Sequence, residues 1–141
     1  MKKFLLIGLI VFTLACSDKK DAVPHTASES ALVTTKQKAA VRTSGSELKV
    51  QLVDVTDSRC PVNAMCVTAG SARLKFNISD NTKAADVSVN FQGGNLKKDS
   101  REFILGNTTY VLTVKEVLPY PVATVKTPLE DFEVSVSIGK L

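Results

Sequence analysis

Between Ala72 and Ile78 every second residue is apolar: Ala72, Leu74, Phe76 and Ile78 alternate with Arg73, Lys75 and Asn77. A period of two sends successive side chains to opposite faces of a strand, so this stretch buries one face and wets the other. The pattern recurs at Leu48, Val50 and Leu52, at Val87, Val89 and Phe91, and at Phe103 and Leu105. It returns at Tyr110, Leu112 and Val114, with Val117 and Leu118 beyond, and at Phe132, Val134, Val136 and Ile138. Gln37–Arg42 is a weaker candidate, expected at an edge. At Val53 and Val55 the phase slips by one residue, which predicts a bulge or the end of pairing.

Turn chemistry separates these runs: Asp80-Asn81-Thr82-Lys83, Gln92-Gly93-Gly94-Asn95, and a Gly106-Asn107 pair that predicts a hairpin. Beyond the first residues no stretch keeps a helical period over ten positions. The expectation is an all-β chain, a single antiparallel β-sandwich or small barrel of six or seven strands, Ig-like in general architecture. About 100 residues suffice for one such core. Tyr120 lies between Pro119 and Pro121. It reads either as a cap on the core or as a recognition aromatic, and the core is the expectation. The Pro119–Pro128 connection is expected to be an extended crossover between two sheets, with a trans bond at Tyr120–Pro121.

The amino terminus carries an address. Lys2 and Lys3 precede an uncharged apolar run of eleven residues, Phe4 to Leu14. A bilayer-spanning helix needs about 20, so this length fits a secretory signal peptide. Thr13-Leu14-Ala15-Cys16 resembles a bacterial lipobox, with Thr13 in place of the usual Leu. That resemblance implies lipid attachment to the Cys16 thiol and cleavage before it. Two or three acyl chains would anchor the protein stably in a membrane. The expected organisation is a lipoprotein signal peptide at 1–15, a lipidated amino terminus and flexible tether at 16–36, and a β-sandwich domain at 37–141. The destination is a bacterial cell envelope, with the outer membrane expected and its face left open.

Cys60 and Cys66 sit six apart between two strand-like runs, with Pro61 beside the first and Gly70 closing the loop. A structural disulfide, a redox pair and a metal site compete for them. The C-x5-C spacing is not the C-x-x-C of a thioredoxin-like thiol. Zinc would want two further ligands, and Cys16 and His25 lie in the leader and tether. Assigning Cys16 to lipid leaves an even pair in an oxidising compartment, which favours a disulfide. Closing so short a ring stabilises the fold by roughly 2.4 kcal/mol on chain-entropy grounds.

The formal charge of +4 does not signal nucleic-acid binding. Lys2 and Lys3 belong to the leader, and residues 17–45 carry five basic against three acidic side chains. From Ser46 to Leu141 there are eleven of each, so the domain has no bulk charge to draw phosphate.

Asp57-Ser58-Arg59-Cys60-Pro61, then Cys66-Val67-Thr68-Ala69-Gly70, resembles a family of small, uncharacterised bacterial lipoproteins carrying D-S-R-C-P-x4-C-V-W-A-G. Val117-Leu118-Pro119-Tyr120-Pro121 is similar to that family's P-Y-P closing connection. Thr68 departs from the family's Trp. The resemblance implies a lipoprotein β-domain and brings no established activity.

No catalytic set stands out, so no enzyme is expected, nor any cofactor or metal. His25 is the sole histidine and falls in the tether. Asp54 and Asp57 flank a loop entrance, where carboxylates commonly accept backbone hydrogen bonds. Gly93-Gly94 lacks the spacing of a phosphate loop. Arg59 either pairs with a carboxylate and braces the cysteine loop or offers its fork to an anionic ligand; bracing is the expectation. The expected function is non-catalytic binding or protein interaction by an envelope lipoprotein, through the cysteine loop and the Leu118–Pro128 connection. Docking to an envelope complex through a sheet edge is the alternative, with a hydrolase or metal-binding protein more distant. The expected partners are the membrane, through lipid on Cys16, and an envelope protein or another ligand.

Replacing Cys16 by Ser is expected to release the protein from the membrane fraction on cell fractionation; full retention of that variant contradicts lipidation at Cys16.

Overall fold

The computed structural model describes residues 29–94 and 97–141. Cys16, His25 and the leader lie outside them. Eight strands run in chain order: β1 (Ser30–Val33), β2 (Ala39–Thr43), β3 (Ser46–Asp57), β4 (Ala72–Ser79), β5 (Ala84–Phe91), β6 (Ser100–Leu105), β7 (Thr108–Leu118) and β8 (Glu133–Lys140). They form two antiparallel four-stranded sheets, ordered β1-β8-β7-β6 and β2-β3-β4-β5. The sheets face each other as a sandwich and do not close into a barrel.

The alternating residues become the core. Ala72, Leu74, Phe76 and Ile78 of β4 are fully buried, as are Val50, Leu112, Val134, Val136 and Ile138. Leu48 and Leu52 are all but buried. The phase slip is a bulge, since the β3–β4 register shifts between Leu52 and Asp54 and leaves Val53 exposed. Gly106-Asn107 joins β6 to β7 as a two-residue hairpin, with Gly106 first and at φ +66°. Phe103 stacks on its cross-strand partner Tyr110, ring centroids 5.5 Å apart. In the β4–β5 turn, the amides of Thr82 and Lys83 and the Thr82 hydroxyl donate to one oxygen of Asp80. These bonds, the Thr82 amide first, hold the Asp80 carboxyl below its ordinary value of 3.8. That support is present above the unfolded-state value and is lost as pH falls through the lowered one.

Two expectations change. Ser30–Val33, read as tether, is an edge strand: it pairs with β8, Val33 is fully buried, and the Lys115 ammonium donates to the Ser30 hydroxyl. The sandwich therefore begins before Gln37 and has eight strands among the described residues. Only four residues long, β1 is too short for a visible period. Residues 34–38 then cross between the sheets, with Thr34 C=O accepting from Leu52 N–H and Thr35 C=O from the Gln51 side-chain Nε2. The Pro119–Pro128 connection does not cross between sheets, because β7 and β8 are neighbours in one sheet. The Tyr120–Pro121 bond is trans, as expected, and the connection's cis bond is Leu118–Pro119.

Val33→Ala removes two buried methyl groups and is expected to cost about 2 kcal/mol. A chemical denaturation midpoint unchanged from wild type would show that β1 adds nothing to the core.

Candidate functional site

The two stretches singled out by sequence meet at one end of the sandwich. The β3–β4 ladder continues past its strands, with Ser58 N–H donating to Ser71 C=O and Cys60 N–H to Ala69 C=O. Cys60 and Cys66 are joined by a disulfide, Cα atoms 5.9 Å apart, which closes the tip. Gly70 adopts φ +71°, and a Cβ there would lie 1.9 Å from Ser58 O, so no other residue fits this turn unshifted.

Arg59 ties this loop to the far connection. Its Nε and Nη2 donate to the two carboxylate oxygens of Asp57, at 2.9 and 2.7 Å. Its Nη1 donates to Val117 C=O at 2.7 Å, and Nη2 also to Pro119 C=O at 2.9 Å. Asp57 further accepts the Arg59 amide. The side chains of Arg59 and Asp57 are only 8% and 12% exposed. A planar fork is the one cationic group that can serve two carboxylate oxygens and two carbonyls together. Four of its five N–H donors are committed, so the Asp57–Arg59 pair is a brace and not a fork held out to an anion.

Tyr120 departs from its expectation. It is 54% exposed, and its ring lies over the Arg59 guanidinium, 5.3 Å from centroid to Cζ. The flanking prolines hold it outside the core, where it covers the brace by a cation–π contact. Beyond it, Val62 N–H donates to Pro121 C=O, and the Asn63 side chain accepts from Ala123 N–H. Loop and connection are thus bonded along their length.

Asp54 is exposed and stays outside this network. Gly93 and Gly94 both take positive φ in the β5–β6 connection. That connection is held by Asp99, 1% exposed, which accepts from Gln92 N–H and whose own C=O accepts from Val114 N–H. Asp99 carries no sequence signal, since a carboxylate at a strand start reads as a surface charge. Asn63 was equally silent. Among the described residues no cluster of three or more His, Cys, Asp or Glu side chains is placed to hold a metal.

Six of the eleven large hydrophobics exposed among the described residues lie in these two segments: Val62, Met65, Val67, Tyr120, Val122 and Val125. Met65 and Val67 are fully exposed. No Asp, Glu, Lys, Arg or His occurs in residues 60–72 or 117–125. Uncharged surface enriched in Met and Tyr is the composition of an interface centre.

Arg59→Ala strands the Asp57 carboxylate and two carbonyls, and is expected to cost about 3 kcal/mol in urea denaturation. Arg59→Lys should recover little, because an ammonium cannot reproduce the fork. A lysine variant as stable as wild type would remove geometry from this account.

Comparison of the chain with protein-family models, curated proteins and solved structures finds no match.

Proposed function

We propose that this protein is a lipid-anchored envelope protein, attached through Cys16, whose sandwich presents a non-catalytic binding surface. The surface is the cysteine loop docked on the Pro119–Pro128 connection. The observation that carries this reading is the concentration of exposed apolar side chains on the uncharged stretches 60–72 and 117–125 of two mutually bonded loops. Val62, Met65, Val67, Tyr120, Val122 and Val125 are each between 39% and 104% exposed, and Met and aromatic side chains are enriched at the centre of protein interfaces. The disulfide and the Arg59 brace support it further by fixing the backbone before binding, which lowers the ordering cost of association.

A second reading, docking through a sheet edge, draws on Ile104, 67% exposed on the outer strand β6. The two readings separate by experiment. A photo-reactive amino acid is placed at Met65, Val67 or Asn107 of the lipidated protein in its own membrane, and adducts are compared. Cross-links from 65 and 67 but not from 107, lost on Val62→Asp, are the expected outcome. Adducts that instead disappear with Ile104→Pro transfer the function to the β6 edge.

A further inference from the structure

β3 is longer than the strand beside it. β2 pairs with Ser46–Val50 only, while β3 runs on to Asp57. The last bond on that side is Leu52 N–H to Thr34 C=O. On its other side β3 stays paired with β4 to the end, Asp54 opposite Lys75 and Asp57 opposite Ala72. The Ser58–Ser71 and Cys60–Ala69 bonds fix the alternation of that ladder. Asp54 and Thr56 therefore direct their backbone groups to β4, and Val55 and Asp57 direct theirs away from it. Among the described residues no strand meets Val55 and Asp57 on that side.

What lies there is a cavity of about 550 Å³, within the range of roughly 300–1,000 Å³ usual for ligand sites. Val55 and Phe132 line it on the sandwich side, and Thr124, Val125 and Lys126 on the connection side. Thr124 sits at φ +70°. Val125 N–H donates back to Val122 C=O, so Thr124 occupies the third position of a turn, where positive φ favours Gly. A β-branched residue is strained there, and it faces the cavity. Asp57 and Lys126 are the charged residues lining it, and Asp57 is neutralised by Arg59.

The geometry points to this groove as a binding site for an extended peptide segment, added as a strand beside Val53–Asp57, with an acidic side chain toward Lys126. Open N–H and C=O groups at strand spacing are matched by another extended backbone, the chemistry of strand addition. At about 3.3 Å per residue the open stretch takes three or four residues of such a segment. Alternate side chains of the ligand meet Val125 and Phe132, which favours apolar residues at every second position. Lys126 adds charge complementarity with an acidic residue. The inference rests on reading this end of the sandwich as a binding surface, and names the chemistry of what it binds.

The test pans phage-displayed random heptapeptides against the full lipidated chain in nanodiscs. Enrichment of sequences with an acidic residue and alternating apolar positions is expected. Val55→Pro deletes an outward amide while sparing the β4 ladder, and should weaken a selected peptide at least tenfold. Should that variant fail to fold, amide hydrogen exchange on the wild-type chain decides. Val55 and Asp57 amides exchange fast alone and slow with peptide, while Asp54 and Thr56 are slow throughout. Thr124→Gly should raise the melting temperature and weaken the peptide. No enrichment, undiminished binding to Val55→Pro, or protection elsewhere than Val55 and Asp57 overturns the groove. Cross-links from Met65 and Val67 persisting without any selected peptide leave the loop surface standing and sink the groove alone. Peptide binding without those cross-links does the reverse.

Discussion

One guanidinium holds this end of the molecule together. The two sheets of a sandwich pack by burial, which is strong but without direction. The loops that leave them have no such constraint, and here Arg59 supplies one. It joins the end of β3 in one sheet to carbonyls at the end of β7 in the other. A buried ion pair is a weak source of net stability, because desolvation offsets attraction. What Arg59 provides is position. Its carbonyl acceptors at Val117 and Pro119 set where the proline-rich connection begins, and the bonds to Pro121 and Ala123 follow from that placement.

The sandwich was legible in the sequence because its strands carry one wet face and one dry face. β4 reads off directly from Ala72 to Ile78, and even the β3 bulge shows as a slip of phase. What failed to register were features without a period. β1 contributes Val33 to the core through a strand of four residues, and nothing in Ser30–Val33 distinguishes it from tether. The site was half legible. Asp57, Arg59 and the cysteine pair stand out by residue type and spacing, and the structure joins them. Tyr120 was misplaced because an aromatic between prolines carries no sign of which way it faces. Asn63, Asp99 and Thr124 act through backbone geometry at a distance, which local sequence does not encode.

The loop surface and the groove beside it share one physical origin. Both exist because β3 outruns β2, so the β3–β4 hairpin projects beyond the sandwich and meets the connection there. The projecting part is clamped at its base by the Asp57–Arg59 pair and at its tip by the disulfide. Rigid backbone can then carry exposed Met65 and Val67 without the collapse that flexible apolar loops would undergo.

The direction of β1 has a mechanical consequence. Val33 lies beside Val134, next to the start of β8 where the connection arrives, and Ser30 lies further back beside Ser137. The chain thus runs into the sandwich toward the loops and away from its own beginning. A pull between the amino terminus and anything gripped by the loops acts along the strands. It loads the β1–β8 hydrogen bonds together in shear instead of peeling them one after another, so a strand of only four residues meets tension in its most resistant orientation.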